Sequence, residues 1–234
     1  MSADLPTTDG RRHRWDQHKA ERRRIVLSAA LSVIEEAGPG EEVHVQQIAD
    51  RAGLSRTVLY RHFADRADLD RAIQSDIVDH VWGEITPVLS LDATPVEVIR
   101  RIVAAYVGWA AAHPALHRFV ELDVPGDGSS PLSRMVEQVA EQVEGLIAAG
   151  AELLEVPLDD RLRIGLDPLV FGMVGAAMAA VGRWTAQPQR VSLDVLIDLV
   201  TQSIWHQIAG LSAARGAVID PDRPVQELFD ADLG

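Results

Sequence analysis

Apolar residues recur at the helical period along almost the whole chain. From Lys19 to Ala37 they fall at Ile25, Leu27, Ala29, Ala30, Leu31, Val33 and Ile34, and Gly38-Pro39-Gly40 then ends the helix. Val45 to Ala52 reads as a short helix with Ile48 and Ala49 inward, broken by Gly53-Leu54-Ser55. Ser55 is a good N-cap for a second short helix, Arg56 to Phe63, and Asp65 caps a longer one through Leu69, Ile73, Ile77, Val78, Val81 and Trp82 towards Pro87. Thr94-Pro95 opens a helix to His113, with the cap first and proline at the first helical position. Pro114 starts a short helix to Asp123, and residues 124–130 read as a flexible loop. Amphipathic helices follow over Pro131–Leu154, Asp159–Gln187 and Ser192–Ala214, and the tail after Gly216 is acidic and expected to be peripheral or disordered. No strand alternation of useful length occurs. The pattern predicts an all-α chain of about nine helices, with an arm at 1–18, a small helical head at 19–66, a larger helical body at 67–215 and a tail at 216–234.

The informative stretch is residues 44–70, where two short helices meet at Gly-Leu-Ser. A tight reversal requires Gly53, expected at positive φ, while Leu54 plugs the hinge and Ala49 and Ala52 let the helices approach. This is a helix-turn-helix, whose second helix can lie in a major groove with its N-terminal residues at base edges. Val58, Leu59 and Phe63 suit the small core, which leaves Arg56, Thr57, Tyr60, Arg61 and His62 for the exposed side. Arg56 can address guanine O6 and N7, and the Thr57 methyl a thymine methyl. Tyr60, His62 and the amides at Ser55 can donate to phosphate oxygens.

Charge sharpens that picture. The net charge of −13 argues against nucleic acid only if it is spread evenly. Residues 1–66 carry eleven basic and ten acidic side chains, whereas 67–234 carry eleven and twenty-five. Residues 11–24 alone hold seven basic side chains against two acidic ones, an arm that can track phosphates or remain a solvated tail. A basic end on an acidic body can place one surface against DNA while the rest is repelled from it. The absence of cysteine excludes disulfides, thiolate chemistry and iron–sulfur clusters. The N-terminus has no apolar h-region, and the longest uncharged apolar stretch, Pro168–Gly182, falls short of the roughly 20 residues that cross a bilayer. A cytoplasmic protein without a membrane span is expected.

The stretch from Arg24 to Leu69 resembles the TetR family of bacterial transcription regulators. The resemblance is carried by a first helix ending in Glu-Ala-Gly, then I-A-D-R-A-G-L-S, then L-Y-R-H-F, an acidic-polar segment and Leu69. It implies a homodimer, each subunit with a three-helix DNA-binding head and a helical body whose small-molecule ligand changes the head spacing and releases the operator. It also implies that Arg56, Thr57 and Arg61 read bases and that Tyr60 and His62 contact phosphate. Three positions depart from the family's pattern. Arg66 stands where lysine is usual, His44 where a capping and phosphate-touching threonine is usual, and Ile34 where an aromatic is usual.

In the body, Trp82, Trp109, His113, Phe119, Phe171, Met178 and Trp184 are candidate pocket residues for an apolar ligand. Residues 169–182 concentrate Gly172, Gly175, Ala176, Ala179 and Ala180, which either open a cavity or let two helices pack closely at a dimer interface. Leu196, Val200, Ile204 and Ile208 belong to a stripe on the last long helix, which is apolar around more than one face and therefore expected to be buried on more than one side. With Gly172, Ala176 and Ala179 they are the candidate dimer surface, although a deep intrachain core explains the stripe of the last helix equally well. His113, His117 and Glu121 have the spacing of metal ligands along a helix, but Pro114 turns His113 away, so no metal site is expected. No catalytic constellation, dinucleotide fingerprint or phosphate loop is present, and no cofactor is implied. The reading is a DNA-binding regulator, a repressor released by a small apolar ligand. Its alternatives are a regulator answering to acyl chains or acyl-CoA, a helical enzyme or binding protein that retains a helix-turn-helix, and an architectural protein without ligand.

Overall fold

The computed structural model describes residues 8–122, 124, 130–153, 160–187, 191–216 and 218–230. The regular structure of these residues is helical, with no strand among them: α1 (Thr8–Ala37), α2 (Val45–Arg51), α3 (Arg56–Leu59), α4 (Arg66–Ile85), α5 (Pro95–Ala112), α6 (Pro114–Val120), α7 (Pro131–Leu153), α8 (Asp160–Thr185), α9 (Leu193–Ala213) and α10 (Val225–Asp230). The loop expected at 124–130 lies largely outside the described residues.

The stops and caps act where the residues place them. Thr94 Oγ1 accepts from the Glu97 amide at 3.3 Å and Ser192 Oγ from Val195 at 3.4 Å. Asp65 accepts from the Asp68 amide at 2.7 Å, and Asp68 accepts from the Ala64 amide at 2.9 Å, so two orphan donors at the start of α4 are satisfied together.

Three expectations change. Helix α1 starts at Thr8, not Lys19, so the backbone of the basic arm from Thr8 onward continues the helix. Arginine, lysine, glutamate and alanine are all good helix formers, and nothing after Gly10 interrupts them. Helix α3 ends at Leu59 and continues to Phe63 as tighter turns, with His62 N donating to Leu59 O at 2.9 Å. The tail docks: the amides of Val225 and Gln226 donate to the carbonyls of Ala93 and Leu91, both at 2.9 Å, and α10 packs on α7.

One hydrophobic core runs from the head into the body. Val26, Ala30, Ile48, Leu59, Phe63, Leu69, Ile73, Ile77, Val107, Val181 and Val200 share it. A second, smaller cluster of Ala140, Val170 and Met173 joins α7 to α8. Helix α8 leaves Ile164, Leu169 and Phe171 exposed, and α9 leaves Val195 and Leu199 exposed. Within α8, Ile164–Thr185 is 22 residues long with a mean hydropathy of 1.8, enough by length and composition to cross a membrane. It exceeds the stretch counted from sequence because it tolerates Asp167 and Arg183 at its ends.

Candidate functional site

Two sites emerge, at opposite functional ends of the chain. In the head, the α2–α3 turn is closed by Gly53, whose φ of +66° lies in the left-handed region, and by Leu54 N donating to Ala49 O at 2.9 Å. Ser55 has extended backbone angles, and its Oγ accepts from the Val58 amide at 3.3 Å. Behind this turn Ile48, Ala49, Leu59 and Phe63 are almost fully buried. Arg56, Thr57 and Arg61 remain exposed, as base reading requires, and Tyr60 is half-buried with the Arg56 guanidinium 5.6 Å above its ring.

Polar ties fix α3 against its neighbours. Arg23 donates to the His62 carbonyl at 3.1 Å and its guanidinium lies 4.3 Å from the Phe63 ring centroid. This residue was grouped with the basic arm, but its contacts lock α3 onto α1. Glu36 and Arg51 pair across α1 and α2. Arg66 Nε donates to both carboxylate oxygens of Asp70, and Nη1 donates to the Val43 carbonyl at 2.9 Å. Desolvation raises the Asp70 pKa, against the pull of Arg66. The expected phosphate role of Arg66 therefore competes with a structural one. His44 caps α2 through its backbone: its N–H donates to Gln47 Oε1 at 2.7 Å, and its exposed imidazole makes no cap bond. His62 is half-buried, with Nδ1 buried and unpartnered. Ile34 is buried in the head core, where an aliphatic side chain fills the space.

In the body, α5, α6, α7 and α8 line a half-open pocket of about 270 Å³, with Phe171 on its exposed rim. Tyr106, His117, Glu121 and Ser133 supply its polar wall, and Val120, Leu132, Val136, Phe171 and Met178 much of its apolar wall. His117 Nε2 lies 2.8 Å from the Tyr106 hydroxyl. Burial lowers the His117 pKa, opposed by the charge of Glu121. Burial and the same charge push the Tyr106 phenol far up, so it stays protonated.

The head and this cavity are physically joined. Gln74 on α4 donates to the carbonyls of Phe119 and Leu122 at 3.3 and 2.8 Å, closing the C-terminus of α6. His113, at the start of α6, pairs with Glu35 on α1.

Residues 26–73 match the model for bacterial regulatory proteins of the tetR family. Over 216 residues the chain is 30% identical to an uncharacterized HTH-type transcriptional regulator of Mycobacterium tuberculosis, spanning 90% of this chain and 87% of that one. The chain belongs to the TetR family. Two solved structures share the fold. RolR in complex with resorcinol matches at a TM-score of 0.60 with 16% identity, covering 82% of this chain and 89% of that one. FadR from Bacillus subtilis in complex with stearoyl-CoA matches at 0.58 with 17% identity, covering 77% and 96%.

For this TetR-family regulator the structure sorts the body candidates. Phe171 and Met178 line the cavity. Trp109 and Phe119 are core, Trp82 packs against that core, and Trp184 donates from Nε1 to the Val191 carbonyl at 3.0 Å. His113 points to α1, as Pro114 suggested. Sequence reasoning missed Tyr106 and Glu121 as pocket groups, and it weighed His117 with His113 as a solvated or pocket-lining pair ahead of a metal ligand. The signal was the i, i+4 pairing of His117 with Glu121, which places both on one face of α6.

The small residues of α8 divide. Gly175 and Ala179 line the pocket, Ala179 at an exposed position, while Gly172 and Ala176 are exposed away from it. Leu196 and Val200, expected at a dimer surface, are instead buried in the chain's own core, and α9 packs on α5. Ile204 and Ile208 are half-buried against the α7–α8 cluster. The inward stripe of α9 is therefore intrachain, and its outward apolar residues are Val195 and Leu199.

Proposed function

We propose that this transcriptional regulator is a non-catalytic, cytoplasmic homodimer that represses by occupying double-stranded operator DNA and is released by a small, largely apolar effector. The observation that carries the reading is the link between the two sites. A helix-turn-helix with exposed Arg56, Thr57 and Arg61 stands on α1 and α4, and both helices are tied to α6, which walls the cavity. A ligand that binds better in one arrangement of α6 biases the heads through those ties, by its differential affinity for the two arrangements.

Base reading falls to Arg56, Thr57 and Arg61, and phosphate contact to Ser55, Tyr60, His62, His44 and Arg66. Two heads must then sit about 34–36 Å apart, or a multiple of that, to enter successive major grooves. The exposed Ile164, Leu169 and Phe171 of α8, with Gly172 and Ala176, favour a second copy of the chain as the partner that covers them. The resorcinol and stearoyl-CoA complexes of related folds support a ligand in the body. A cavity of about 270 Å³ suits a compact effector better than an acyl-CoA.

The test is a mobility shift with the upstream intergenic DNA at two salt concentrations against random competitor. A specific complex that weakens steeply with salt is expected. Arg56→Ala should cost about 1–3 kcal/mol of operator affinity and relax the preference at one base position, with the fold unchanged. Equal affinity for random DNA, or an unaltered complex with the variant, contradicts the proposal.

A further inference from the structure

The cavity's polar wall specifies more than an apolar guest. His117 is 2% exposed, yet its ring is only half satisfied. Nε2 is engaged by Tyr106 at 2.8 Å, whereas Nδ1 has no hydrogen-bond partner. Glu121 Oε1 is 3.9 Å from Nδ1, too far for a hydrogen bond. The negative carboxylate favours the tautomer with hydrogen on Nδ1, which leaves Nε2 to accept from the Tyr106 hydroxyl. The wall therefore sets one donor and one charged acceptor 3.9 Å apart, a separation that one atom about 2.8 Å from each would bridge.

Two neighbours flank Glu121 in that position. Arg118 Nη1 lies 3.7 Å from its other oxygen, Oε2. Behind it is Gly182 of α8, where an added Cβ would collide with the carboxylate. The glycine leaves the space that the carboxylate occupies.

Among ligand groups, a hydroxyl oxygen best accepts from His117 and donates to Glu121, since an aliphatic amine is protonated and an aniline nitrogen accepts weakly. An ether accepts only, an ammonium donates only, and a carboxylate is repelled by Glu121. We propose that the effector is an uncharged, compact hydroxyl compound of the phenol class, its O–H bridging His117 Nδ1 and Glu121 Oε1 and its ring among Val136, Phe171 and Met178. This inference rests on the reading of the cavity as the effector site.

Isothermal titration of the full chain with three probes of one skeleton tests it: para-ethylphenol, its methyl ether and para-ethylbenzoate. The phenol is expected to bind at least about tenfold more tightly than either, the scale of one buried hydrogen bond to a charged group. Glu121→Gln should reduce the phenol-to-benzoate ratio about tenfold and leave the ether unchanged. Binding of the ether or the benzoate as tight as that of the phenol, or an unchanged ratio in the variant, overturns the proposal. If such binding is abolished by Ala179→Trp, the cavity still stands as the effector site. If none of the three probes binds, the phenol proposal and the effector-site reading fall together.

Discussion

The head and the body solve different packing problems. In the head, Ile48, Ala49, Leu59, Phe63 and Leu69 are at most 1% exposed, and ion pairs or carbonyl contacts from Arg23, Arg51 and Arg66 tie its helices together. The body splits its apolar residues between the shared core and a three-residue cluster, keeps a cavity between α5, α6, α7 and α8, and leaves apolar side chains of α8 uncovered. A side chain that must meet a base edge needs a fixed backbone, because a small displacement breaks a bidentate contact. A receptor that must shift between two arrangements needs space and a surface that can repack. The difference suits the proposed division of labour, with reading in the tightly packed part and response in the looser one.

The comparison breaks most visibly if a head side chain is truncated. Phe63→Ala removes a ring that is 1% exposed and sits under the Arg23 guanidinium. It should cost about 3–5 kcal/mol in urea unfolding. Met173→Ala, in the small α7–α8 cluster, should fall at the low end, about 2 kcal/mol, because looser surroundings collapse more easily. Equal losses would remove the distinction between the two regions. Because one core spans Val26 to Val200, a single shifted transition is expected for Phe63→Ala.

The same contrast explains what could be read from the chain. The head was legible almost residue by residue because its constraints are local. Gly53 serves a left-handed turn, Ser55 a cap three residues ahead, and Leu59 and Phe63 one helical face. Arg23 was not legible there, since its partner His62 is 39 residues away and no local pattern pairs them. Body helices were legible from period and from the proline and cap signals at Thr94 and Ser192. Which face met which partner was not. A stripe such as Leu196–Val200 looks alike whether a neighbouring helix or a second subunit covers it. The cavity emerges only when α5 brings Tyr106 to His117, a tertiary meeting that spacing alone does not encode. The docked tail is hidden for the same reason, as its backbone bonds to Leu91 and Ala93 carry no side-chain signature.

A smaller effect isolates backbone from packing. No atom lies within 4 Å of a Cβ built on Gly53, so Gly53→Ala tests the positive φ alone. The expected loss is about 1–2 kcal/mol in the urea midpoint, with operator affinity falling in parallel because the turn orients α3. Gly172→Ala on α8 also meets nothing within 4 Å, but its backbone is helical. There the substitution should be neutral or stabilising by up to about 1 kcal/mol. A loss at Gly172 comparable to that at Gly53 would mean that a partner packs against this glycine, and dissociation on dilution would identify the partner as a second copy.

The smallest stability effect sits where the two regions meet. Glu35 and His113 pair across α1 and α6, but their side chains are 43% and 39% exposed. Solvent screens such a pair, so Glu35→Gln should change stability by no more than about 0.5 kcal/mol. Its value lies in where that change appears. Gln74 still holds the C-terminus of α6 to α4, whereas the N-terminus loses its tie to α1. Hydrogen exchange should therefore quicken at the first amides of α6 and stay unchanged in α2 and α3, whose own ties are intact. If exchange rises equally in α3, the head is not an independent rigid reader, because its order depends on the body. If α6 is unaffected, the coupling of the pocket to the head rests on Gln74 and the shared core, not on the Glu35–His113 pair.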